Sequence, residues 1–89
     1  MPTISITVSG KVQGVYYRQS AKERAIELSI TGTVKNLRDG SVHIIATGTK
    51  VQLDALTNWC RKGPVRAVID TIEVKELSLQ LFERFSIER

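Results

Sequence analysis

Nine consecutive residues, Gly10-Lys11-Val12-Gln13-Gly14-Val15-Tyr16-Tyr17-Arg18, combine types and spacing suited to holding an anion. Glycines at 10 and 14 let the chain turn several backbone N–H groups toward one point. The helical spacing that starts near Tyr16 adds the positive end of a helix dipole at the same place. Arg18 brings a planar fork of donors able to bridge two oxygens of one oxyanion. Such a loop can hold a phosphoryl group without a metal ion. Taken alone, however, a two-glycine loop is also an ordinary turn and a single arginine is also a solvated helix residue, so the assignment needs a second motif.

That second motif is Gly32-Thr33-Val34-Lys35-Asn36-Leu37-Arg38-Asp39-Gly40-Ser41-Val42: a glycine, a short strand ending in Asn, then a turn ending in Asp-Gly-x-Val. Together the two segments, in this order and separation, resemble the acylphosphatase family, whose phosphate loop reads Gly-x-Val-Gln-Gly-Val followed closely by an aromatic residue and arginine. Gly63-Pro64 and Phe85-Ser86-Ile87 fit the family's later landmarks, so the resemblance covers nearly the whole chain. It implies a metal-independent, cofactor-free enzyme that hydrolyses small-molecule acyl phosphates to a carboxylate and inorganic phosphate. In that reading the backbone N–H groups of Gln13, Gly14, Val15, Tyr16, Tyr17 and Arg18 surround the phosphoryl oxygens. The Arg18 guanidinium binds the substrate phosphate and Asn36 orients the attacking water. An amide suits that task because it both donates and accepts without changing charge.

The chemistry asks for little more. A carboxylate whose conjugate acid has a pKa of about 4 leaves without being protonated, so no general acid is needed. What remains is to hold the transferring group, to stabilise its negative charge and to aim a water in line. Departures from the family pattern lie outside these roles. Thr33 stands where a large aromatic is common, Ser29 where a glycine often ends the first helix, His43 where an acidic residue is frequent, and Val65 where a second proline is common.

The elements that must position these groups follow from periodicity. Thr3 to Ser9 alternates, with Ile4, Ile6 and Val8 on one face. From Tyr16 to Leu28 the spacing of Tyr17, Ala21, Ala25 and Leu28 predicts a helix with Glu23, Arg24 and Glu27 facing water. Thr33 to Asn36 and Ser41 to Ala46 read as strands joined by a hairpin that the Asp39-Gly40 pair favours. Lys50 to Lys62 reads as a second helix, with Val51, Ala55 and Trp59 spaced four apart and Leu56 and Cys60 beside them, stopped by Gly63-Pro64. Ala67 to Leu77 is rich in β-formers, but Asp70 shares the parity of Val68, Ile72 and Val74, which points to a bulge or an end position. The last segment sets Leu81, Phe85 and Ile87 on one parity. The order β-α-β-β-α-β predicts an α+β, ferredoxin-like sandwich: a four-stranded antiparallel sheet, with any short fifth strand near the carboxyl end, and two helices on one face.

Composition bounds the rest. With 89 residues, 42% apolar and 25% charged, the chain reads as a single domain spanning 1–89. One cysteine and no basic, apolar leader point to a cytoplasmic protein without a membrane partner, expected as a monomer. The resemblance also includes domains of larger carbamoyl-transfer maturation enzymes; one domain favours the free enzyme. A net charge of +4 suits small anions. It would also suit nucleic acid, but Lys11, Arg18, Lys22, Arg24, Lys35 and Arg38 form no dense tract, and Ser41 to Ala46 lacks the stacking aromatics of an RNA-binding strand, so no nucleic acid is expected. No Walker A pattern and no paired Cys or His ligands occur, so no metal site is expected. His43 belongs on the face opposite Val42 and Ile44, and Cys60 belongs to packing rather than nucleophilic work. Two further readings stand beside the enzyme: a non-catalytic phosphate- or carboxylate-binding module, and a nucleic-acid-binding domain resting on charge and fold order alone.

Overall fold

The computed structural model describes residues 1–88. Five strands and two helices run in the order β1 Thr3–Lys11, α1 Tyr17–Glu27, β2 Thr31–Asn36, β3 Val42–Thr47, α2 Lys50–Lys62, β4 Val68–Leu77 and β5 Phe85–Ile87. The strands form one sheet in the spatial order β4-β1-β3-β2-β5. The first four pair antiparallel, which is the expected ferredoxin-like sandwich, whereas β5 pairs parallel to β2, with Val34 opposite Ile87. The sheet is therefore mixed rather than purely antiparallel. A parallel neighbour requires a crossover, and the chain from β4 makes it by running from one edge of the sheet to the other.

Alternation decides which side is core. Ile4, Ile6 and Val8 of β1 face Ala46, Ile44 and Val42 of β3, and all six are buried beneath the helices with Val34 and Phe85. Tyr17, Ala21 and Ala25 supply the buried stripe of α1, as their spacing predicts. The stripe of α2 differs from expectation. Leu56 and Cys60 are buried as expected and Leu53 joins them, while Val51, the second residue of the helix, is 79% exposed, and Trp59 is only half-buried. Four-residue spacing drifts around a helix of 3.6 residues per turn, so Val51-Ala55-Trp59 slides off the face that Leu53-Leu56-Cys60 holds.

On the other sheet face lie Thr3, Ser5, Thr7 and His43. His43 opposes Thr7, with Nδ1 3.0 Å from the Thr7 hydroxyl, on the face expected for it. Part of this face is covered by the segment that leads to β5. The Thr3 and Thr47 hydroxyls meet at 2.7 Å, Thr47 donates to the Gln80 carbonyl at 2.7 Å, and the Gln80 N–H donates to Thr3 at 3.0 Å. Leu81 does not share the fate of Phe85: it is 81% exposed, because this segment precedes the strand and has no pleat to turn the side chain inward.

The expected irregularity in β4 is a bulge at Asp70. Ser9 pairs with Thr71 and Gly10 with Ile69, leaving Asp70 as the extra residue. The bulge returns Ile69 to the core side used by Ile72, and both pack against the core. Gly10 is required here, since its φ is +129° and an added Cβ would run into the Val68 carbonyl. The same residue closes the regular pairing of β1 and releases the chain into the glycine loop.

Candidate active site

The loop and the end of β2 meet in a cleft of about 610 Å³ lined by Val12, Gly14, Tyr16, Tyr17, Arg18, Gln19, Asn36 and Ile87. Arg18 and Asn36, separated in sequence and predicted to act together, thus face one space. β1 delivers the loop, α1 carries Arg18 in its first turn, and Asn36 is the last residue of β2. Val34 and Asn36 lie on the same side of that strand, so the pleat that buries Val34 aims Asn36 toward the helices and the cleft.

The start of α1 leaves its donors free. Its cap position is Tyr16, in the left-handed region at φ 71° and ψ 21°, with no side-chain cap. Ser20 is the first N–H in this stretch to reach a backbone carbonyl, that of Tyr16 at 3.1 Å. Among the described residues no backbone carbonyl outside the regular elements accepts from the N–H groups of Gln13 to Arg18. A helix start with vacant donors and no acidic side chain in its first turn favours an anion. Gly14, at φ +73°, keeps the floor open: nothing lies within 4 Å of where its Cβ would be.

Within this frame the predicted residues divide by what their side chains do. Gly14, Tyr16, Tyr17, Arg18 and Asn36 line the cleft. Val15 turns its side chain into the core. The Gln13 amide points away from the cleft, donating to the Leu37 carbonyl at 2.8 Å and the Ser41 carbonyl at 2.9 Å. It ties the loop to the turn that follows Asn36. That turn is itself closed by Leu37 N–H to the Ser41 carbonyl at 2.8 Å and by Asp39, which accepts from the Ser41 N–H at 3.0 Å and hydroxyl at 2.6 Å. Those two bonds hold the Asp39 carboxyl below the ordinary carboxylate range.

Tyr17 is structural. Its hydroxyl donates to the Cys60 carbonyl at 2.8 Å, its ring lies 5.3 Å from that of Trp59, and burial pushes its pKa well up. Burial likewise pushes the Cys60 thiol up to about 12, which removes it as a nucleophile. Arg18 is held more loosely, its Nη1 donating to the Glu88 carbonyl at a long 3.4 Å. Most telling is Asn36, whose Oδ1 is buried and has no hydrogen-bond partner. A buried acceptor without a donor is costly and marks a place for a water or ligand. Val12, Gln19 and Ile87 complete the lining and are not among the site residues expected from sequence; only their closeness to the loop, or for Ile87 the strand pairing beside β2, reveals them.

A helix-backed sheet with an open helix start, an arginine and an unsatisfied amide converging on one cleft makes a ferredoxin-like domain whose cleft offers donors of the kind an oxyanion takes. The comparisons give the family. Residues 4–87 match the family model described as acylphosphatase. An acylphosphatase of Marinobacter nauticus is 56% identical over 72 residues, covering 81% of this chain and 78% of that protein. One from Methylococcus capsulatus is 42% identical across 100% of this chain and 98% of its own. The crystal structure of acylphosphatase from Bacillus subtilis superimposes with a TM-score of 0.97 at 34% identity, covering 100% of both chains. The chain belongs to the acylphosphatase family, hydrolases that act on acyl phosphates.

Proposed function

We propose that the cleft hydrolyses the carboxyl-phosphate bond through Arg18, Asn36 and the loop N–H groups, with no metal ion or cofactor. The phosphoryl oxygens take the vacant donors of Gln13 to Arg18, and the Arg18 guanidinium bridges two of them. These donors follow the negative charge as the bond to the acyl oxygen lengthens. The Asn36 side-chain amide orients a water and aims its oxygen at phosphorus, opposite the leaving carboxylate. The new P–O bond forms as the acyl P–O bond breaks. The acyl group departs as carboxylate and both hydrogens of the water stay with the phosphate product.

The observation that carries this reading is that Arg18 and Asn36 line one cleft, with the buried Oδ1 of Asn36 left without a hydrogen-bond partner. No group of three or more His, Cys, Asp or Glu side chains that could hold a metal ion occurs among the described residues. The test is phosphate release from an aromatic acyl phosphate with chelator present, comparing the natural chain with Arg18→Ala and Asn36→Ala. Turnover should survive chelation and collapse in both variants; turnover that needs an added divalent ion would overturn the metal-free reading.

We further propose that residues 1–89 act as one domain, as a monomer in the cytoplasm. A single, buried cysteine supports a reducing compartment, and among the described residues no helix is long and apolar enough to cross a membrane. Sedimentation at micromolar concentration checks the monomer, and a fluorescent fusion checks the compartment.

A further inference from the structure

Among the described residues, two outside glycine have a positive φ: Tyr16 and Ser29. Ser29 follows the end of α1, where left-handed residues commonly stop a helix. Tyr16 alternates with left-handed Gly14 in the loop, a pattern that turns N–H groups toward one point, yet it is a bulky residue. It occupies the cap position of α1, where a short polar residue in extended conformation is the stable choice, and its side chain makes no cap. Its ring is also 73% exposed, so burial does not repay the strained backbone. Two unfavourable features meet in one residue at the lip of the cleft.

The cleft is far roomier than a phosphoryl group requires. With the phosphoryl end held by the loop N–H groups and Arg18, the acyl group must extend along the rest of the lining, to which the exposed Tyr16 and the half-buried Ile87 contribute apolar surface. We infer that Tyr16 is a specificity-determining residue whose ring packs on the acyl group, favouring acyl phosphates with flat aromatic acyl groups over small aliphatic ones. This rests on the site proposed above and adds the substrate class to it.

Offset packing of two rings predicts that an aromatic substrate gains roughly threefold to tenfold in kcat/KM over a small one. The test compares benzoyl phosphate with acetyl phosphate in the natural chain, Tyr16→Phe and Tyr16→Asn. Asn accepts left-handed backbone, so its thermal midpoint should be no lower than that of the natural chain. The benzoyl-to-acetyl ratio of kcat/KM should fall about threefold to tenfold in Tyr16→Asn and be retained in Tyr16→Phe. A ratio unchanged in Tyr16→Asn, or one that falls as far in Tyr16→Phe, would overturn the inference. Arg18→Ala measured alongside separates the two readings. If it turns over both substrates normally, the site itself is wrong and the inference goes with it; if it loses both, only the ratio at Tyr16 decides.

Discussion

The two helices begin in opposite ways. α2 starts with Thr49 in extended conformation; its hydroxyl accepts from the Gln52 N–H at 3.2 Å, while the Gln52 side chain accepts from the Thr49 N–H at 2.8 Å. That reciprocal capping satisfies two donors that a helix start otherwise leaves bare. α1 starts with a strained tyrosine and no cap, and its donors face a cleft. α2 completes its own hydrogen bonds and serves the core. α1 leaves them incomplete, and the vacancy sits beside Arg18 and the unpartnered oxygen of Asn36. A missing cap reads as a defect when the helix is considered alone and as a binding site when its neighbours are considered.

The sharpest way to break this contrast is at Arg18. Arg18→Ala removes the one side-chain cation that lines the cleft among the described residues, and kcat/KM should fall by about a thousandfold or more, read by phosphate release. Asn36→Ala should lower kcat by about a hundredfold with KM little changed, because the phosphoryl donors remain. Gln13→Ala cuts the tie between loop and turn without touching the cleft lining. It should lower kcat by roughly tenfold, as the loop and Asn36 lose their fixed spacing, and stability by about 1 kcal/mol in urea unfolding. At the other helix, Thr49→Ala should cost about 1 kcal/mol of stability and leave kcat/KM as it was.

The smallest effect concerns the open sheet face. Burial first, and then the charge of Lys35, holds the His43 pKa below its ordinary value. The neutral ring is thus the form the fold prefers. Its contribution is present above the unfolded pKa near 6.5 and is lost as pH falls through the lower folded value. Between pH 7 and pH 5 the thermal midpoint of the natural chain should drop slightly more than that of His43→Gln.

The contrast between the helices also explains what could be read from sequence. β1 and α1 were legible because Ile4, Ile6, Val8 and Tyr17, Ala21, Ala25 keep strict period. The Asp70 bulge showed itself as a break in parity. The buried face of α2 is legible only in part: Leu56 and Cys60 lie on it, but Val51, Ala55 and Trp59 form an equally regular series, and only packing chooses Leu53 over them. The parallel pairing of β5 depends on a chain path across the sheet that no local pattern encodes. At the site, residue types and family resemblance named Arg18 and Asn36. They could not show that Gln13 serves the turn, that Ile87 closes the wall, or that Tyr16 is strained and exposed. Those facts depend on where separate segments meet.

The central claim is that the bare start of α1 with Arg18 holds the phosphoryl group while Asn36 serves only the water. Calorimetric titration of inorganic phosphate into Asn36→Ala and Arg18→Ala, with turnover measured on the same preparations, tests it most directly. The account predicts that Asn36→Ala binds phosphate as the natural chain does yet turns over about a hundredfold more slowly, and that Arg18→Ala loses both binding and turnover. Native phosphate affinity in Arg18→Ala, or native turnover in Asn36→Ala, would contradict it.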